Sequence, residues 1–199
     1  MGQACPRPGS DQNTRMKSCF FIALIVACRL VAQADSFSLG SHGSLTVSIP
    51  ASWVANCSSP PGTPGCDIKI LSRNGANAAC RITVIYSGSE EMMDKEKAKT
   101  VLLKIAESFV DVSVEKKAVV KDFSLKSGFG MYCSFTDAAM VGKPSVNGHY
   151  KTISPGVIYL SKDIAIAATI FTDDLSGPEF QELLGIIQSM QLIPPSAVY

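Results

Sequence analysis

Histidine is nearly absent: of 199 residues only His42 and His149 are imidazoles, and Trp53 is the single indole. That scarcity excludes most imidazole chemistry. A Ser–His–Asp site needs one of these two beside a positioned serine, and the chain has no G-x-S-x-G elbow. A C-x2-C pair for zinc is missing too. The 15 glycines are scattered among strands and turns rather than gathered at a strand-to-helix junction, so no phosphate loop or dinucleotide fingerprint occurs. No catalytic residue, cofactor-binding residue or metal ligand is expected, and the chain reads as a non-enzyme.

Charge is sparse as well, at 18% of residues. Four of the 18 basic and one of the 17 acidic residues precede Asp35, so the remainder carries a net charge of −2 without a basic cluster. This argues against nucleic acid and against an electrostatic hold on anionic lipid. Nor is there a run long enough to span a bilayer. The apolar stretch Ser18 to Ala27 (SCFFIALIVA) is about half the ~20 residues required, and Arg29 blocks its extension.

The flanks of that stretch have the grammar of a signal peptide. Met16-Lys17 makes a basic start, the apolar run comes next, and Ala32-Gln33-Ala34 is an A-x-A cleavage site. Met16 is the expected start, because GQACPRPGSDQNTR is polar and patternless. Ile25-Val26-Ala27-Cys28 resembles a bacterial lipobox, which makes lipidation at Cys28 the alternative to cleavage after Ala34; Arg29 directly behind it counts against that alternative. The expected organisation is a leader, residues 1–34, and one domain, residues 35–199. The expected location is periplasmic or secreted, with a membrane-anchored lipoprotein as the alternative.

Seven cysteines divide between these parts. Cys5, Cys19 and Cys28 fall in the leader; Cys57, Cys66, Cys80 and Cys133 remain, an even set that suggests two disulfides in an oxidising compartment. Cys57–Cys66 is favoured because CSSPPGTPGC is a loop sequence that a bridge would staple. Cys80 and Cys133 lie on alternating apolar segments and pair only if those strands are neighbours; otherwise they are two buried thiols acting as small hydrophobes.

The strongest local pattern lies between Gly156 and Leu192. GVIYLSKDIAIAATIF reads as a hairpin turning at Ser161-Lys162-Asp163, and its second strand is apolar on both faces, as in a strand covered on both sides. Ser176, Pro178 and Glu179 then suggest a capping box ahead of a helix whose Phe180, Leu183, Leu184 and Ile187 recur at helical spacing, with Pro194-Pro195 as its stop. Upstream, Leu45, Val47 and Ile49 mark a first strand ended by Pro50. Ile68 and Ile70 mark a second, and Cys80 to Tyr86 a third, paired back on it through Asn74-Gly75. Asp94 caps a helix facing inward through Ala98, Val101, Leu102, Ile105 and Phe109. Val112 to Lys121 looks like a lysine-protected edge strand. Phe129 to Phe135 and His149 to Ile153 are further strands around the loop Val141 to Gly148, and Ser154-Pro155-Gly156 is expected to turn into the final hairpin.

An early strand ending in IPASW, a mid-chain helix, the glycine-flanked FGMYCSF strand, three closing strands and the helix in DDLSGPEFQELLGIIQSMQL resemble the Mog1/PsbP-like fold, in its bacterial exported branch of DcrB-type envelope proteins. The resemblance covers about Leu45 to Leu192 and rests on element order and spacing. It implies an α+β class, an antiparallel β-sheet sandwiched by helices (α/β/α). It also implies action through binding rather than catalysis, and supplies no catalytic residues.

Three features carry a functional reading beside a structural one. Trp53 is either a stacking platform or, with more weight, a core aromatic closing the sheet. Asp173-Asp174, with Glu179 and Glu182, are either calcium ligands or, more simply, acids serving a helix start. The lysines around the first helix are a docking surface or a solvated face. Asn56-Cys57-Ser58 matches a glycosylation sequon, which matters only in a eukaryotic secretory pathway. The function expected is a non-catalytic exported protein that binds an unknown protein partner of the cell envelope. The alternative is an inhibitor or immunity protein blocking an enzyme through the Cys57–Cys66 loop.

Overall fold

The computed structural model describes residues 33–59, 65–86 and 94–195. The leader up to Ala32, with Cys28, lies outside them, while Ala34 sits exposed on the first strand.

Among the described residues, alternation of apolar residues produces eleven strands: β1 (Gln33–Ser38), β2 (Ser44–Ile49), β3 (Trp53–Ser58), β4 (Gly65–Ser72), β5 (Ala79–Tyr86), β6 (Lys121–Asp122), β7 (Phe129–Tyr132), β8 (Phe135–Thr136), β9 (Thr152–Ser161), β10 (Ile164–Thr172) and β11 (Gln191–Ile193). Two α-helices among the same residues join them, α1 (Lys95–Val110) and α2 (Pro178–Gln188). All strand pairings are antiparallel, and the molecule is an α+β protein dominated by sheet. The main sheet runs β3-β4-β5-β10-β9-β7-β6, with β8 also on β9; a small sheet runs β1-β2-β11.

Residue alternation sorts the main sheet into two faces. On one, Ile68, Ile70, Ile82, Val84, Ile158 and the even-numbered residues of β10 meet Leu45, Val47 and Ile49 of the small sheet and Phe180, Leu183, Ile186 and Ile187 of α2. On the other, Met131, Cys133, Phe135 and Val157 meet Ala98, Leu102 and Ala106 of α1. Each large aliphatic side chain buried this way contributes about 1.5–3 kcal/mol before chain entropy is charged against it.

Several expectations are corrected. The second face of β10 is only partly covered by described residues: Ala165, Ala167, Thr169 and Phe171 are half-buried, because α1 packs mainly over β7 and β9. Ser154-Pro155-Gly156 does not turn; β9 runs straight through it. Pro155 is tolerated there because its carbonyl accepts from the Cys133 amide, so its missing donor points to the gap between β7 and β8. The edge strand expected over Val112 to Lys121 shrinks to the two residues of β6. At α2 the N-cap is Gly177 with no side-chain cap; the Ser176 amide and hydroxyl both donate to Asp174 Oδ1. The helix ends at Gln188, before the prolines, to let β11 join β2.

Of the two readings of Cys80 and Cys133, the structure has the buried thiols. Both are free and buried. Their strands are separated by β10 and β9, and the two side chains belong to opposite faces. Burial raises both thiols above their ordinary pKa. Cys57 and Cys66 instead lie at disulfide distance, Cα atoms 6.6 Å apart, stapling β3 to β4.

Candidate functional site

A concavity with largely apolar walls lies at the end of α1, with a volume of about 380 Å³. Phe109 from the last turn of α1, Val112 and Ser113 just beyond it, Phe135 of β8 and Phe171 at the end of β10 form its walls, and Met140, His149, Tyr150 and Lys151 its rim. Two aromatic contacts stiffen it: Phe109 on Phe135, centroids 5.7 Å apart, and Tyr150 on Phe171 at 5.3 Å.

Backbone bonds bring these segments together. The Val114 amide donates to Thr136 O, the Ala138 amide to Val112 O and the Asp137 amide to Lys151 O. Glu115 locks the first junction, its two oxygens accepting the Thr136 amide and hydroxyl, each at 2.8 Å. Burial alone would raise its carboxyl, but these bonds outweigh it and hold the pKa below the ordinary range. Asn77, in the turn between β4 and β5, clamps the far side. Its amide nitrogen lies 3.0 and 3.1 Å from the two Asp173 oxygens, and its oxygen accepts the Gly148 amide. Asp173 also accepts the Lys151 amide, so its carboxyl too stays low against the upward push of burial.

His149 thus sits on the rim, beside a serine, and the chemistry stops there. Ser113 Oγ donates to Val110 O and accepts the Lys116 amide, which commits it to its turn; no hydrogen bond joins it to His149 among the described residues. His42 lies elsewhere, stacked on Tyr86 with centroids 4.4 Å apart. The acidic cluster is dispersed in use. Asp173 holds the loop, Asp174 bonds Ser176, and Glu182 accepts from Ser52 and from the indole nitrogen of Trp53. Trp53 itself is 3% exposed, a core aromatic whose polar end reaches α2. Among the described residues no three His, Cys, Asp or Glu side chains converge as a metal site would need. No helix among them is long and apolar enough to cross a membrane.

A second surface adjoins the hollow. Beyond Phe171, the outward residues of β10, β5, β4 and β3 carry no layer of described residues, and Leu71 and Ile85 are exposed there beside Thr83 and the Asp67–Arg81 ion pair. Val101 and Ile105, also exposed, share one side of α1, since residues four apart differ by about 40° around a helix.

Sequence reading placed Phe109 in the core and took Phe171 as part of a strand covered twice. The one available signal was that second apolar set on β10, which includes Phe171. Tyr150 and Lys151 gave no signal, because the residues that hold them, Phe171 against the Tyr150 ring and Asp137 and Asp173 on the Lys151 backbone, are distant in sequence. No protein-family model matches the chain, and no curated protein sequence does.

Proposed function

We propose that this is an exported, non-catalytic protein of the Mog1/PsbP-like fold that acts by binding another protein through the uncovered half of its main sheet. One observation carries the reading: Leu71 and Ile85 are exposed on the outward face of β4 and β5, beside Thr83 and the Asp67–Arg81 pair, with no layer of described residues over them, and α1 exposes Val101 and Ile105 as well. Apolar centres amid satisfied polar groups are the composition of a non-obligate interface. The order of sheet and helices supports the family reading, and helices drawn to opposite faces support its α/β/α form. The small sheet on the α2 face is a departure from it.

The test places a photo-crosslinker at Ile85 in the protein expressed in its own envelope and compares it with Leu71→Asp and Val101→Asp backgrounds. A discrete adduct that both charges abolish supports the reading; an adduct indifferent to them, or none, sinks it. N-terminal sequencing of the exported chain is expected to begin at Asp35. A chain lipidated at Cys28 would instead make it an anchored lipoprotein.

The alternative, an inhibitor or immunity protein, rests on the staple at Cys57–Cys66, which fixes an edge hairpin in the way a presented loop requires. Replacing Ser58 to Gly65 with a neutral linker would abolish binding under that reading and spare it under the first.

A further inference from the structure

We propose that the aromatic hollow at the end of α1 is a binding site for a small aromatic carboxylate, independent of the protein-binding surface. Its volume of about 380 Å³ falls in the range of small-molecule sites, and it opens onto a neighbouring hollow of about 290 Å³ that shares Met140 and His149. The walls explain the ring. Phe109, Phe135 and Phe171 in the walls and Tyr150 at the rim surround the hollow with ring carbon, so a flat apolar group replaces water on several sides at once.

The rim explains the charge. Lys151 lines the first hollow and Lys143 the second, and neither has a carboxylate within ion-pair distance among the described residues. The one acid lining either hollow is Asp137, and its carboxylate already accepts the Ala139 amide at 2.8 Å. Asp173 also attracts Lys151, although not within ion-pair distance, and its oxygens accept from Asn77 and from the Lys151 amide. No buried side-chain polar atom among the described residues lacks a partner, so polar recognition falls to the rim, where the Tyr150 hydroxyl and the His149 ring stand with Lys151. The rim cations favour an anion over a neutral head of the same shape.

The test uses three ligands with one shape: hydrocinnamate, hydrocinnamyl alcohol and hydrocinnamylamine, each titrated into the isotope-labelled protein by NMR. Hydrocinnamate is expected to shift the Tyr150 and Phe171 signals saturably. The alcohol should bind about fivefold more weakly, the worth of one exposed charge contact, and the amine more weakly still. Met140→Trp fills the mouth from a half-buried position and should abolish the shifts, and Lys151→Glu should remove the preference for the acid. No saturable shift with any ligand, equal binding of acid and amine, or unchanged binding in both variants would overturn the assignment. None of these results touches crosslinking at Ile85.

Discussion

At the residue scale, Phe123 and Gly156 show how tightly the sheet is fitted. A Cβ on Gly156 would stand 2.7 Å from the Phe123 ring and 3.1 Å from Met131 O, so the ring lies flat on bare backbone. Gly156→Ala is expected to destabilise the fold by about 1–3 kcal/mol, the usual cost of overpacking. Urea denaturation would measure it, and shrinking the partner in Gly156→Ala/Phe123→Leu should recover part of the loss. Two carboxylates set the acid limit. Glu115 and Asp173 are held below their ordinary pKa when folded, so their contribution is complete above the unfolded values of about 4 and is lost as pH falls through the folded ones. The melting temperature should therefore begin to fall near pH 4 and continue downward. Glu115→Gln should lower it at neutral pH and flatten that acid slope; an unchanged slope would show that Glu115 is not linked to folding.

Elements here are held by residues far from them in sequence. Asn77 reaches 69 to 72 positions along the chain to the carbonyls of Val146 and His149 and the amide of Gly148. Its own turn was foreseeable from Asn74-Gly75, and Gly75 does adopt φ of +75°. Asn77→Ala is expected to cost about 1–2 kcal/mol, the worth of two or three partly exposed hydrogen bonds. Its sharper sign would be accelerated hydrogen exchange at the Gly148 amide with little change inside β9. Equal acceleration along β9 would mean that Asn77 supports the strand and not the loop.

For the whole molecule, Leu183 is the place where the layers meet. It is fully buried in the core that α2, the small sheet and the main sheet share. Leu183→Ala is expected to cost about 2–5 kcal/mol and to lower a single cooperative transition, since neither sheet keeps a complete core without the other. Two separated melting steps in calorimetry would contradict that shared core.

The sequence by itself determined the strands around Ile68, Ile82 and Ile166, both helices and the staple at Cys57–Cys66. Each is written in neighbouring residues: alternation, helical spacing, or two cysteines flanking a Pro/Gly loop. Tertiary structure alone decided that β1 and β11 make a second sheet and that Cys80 and Cys133 stand on opposite faces. It alone left half of β10 open. Such outcomes depend on strand order, which long-range packing selects and which no local pattern encodes. The aromatic hollow belongs to that second class, because Phe109, Phe135, Tyr150 and Phe171 become neighbours only once α1 has settled across β7 and β9.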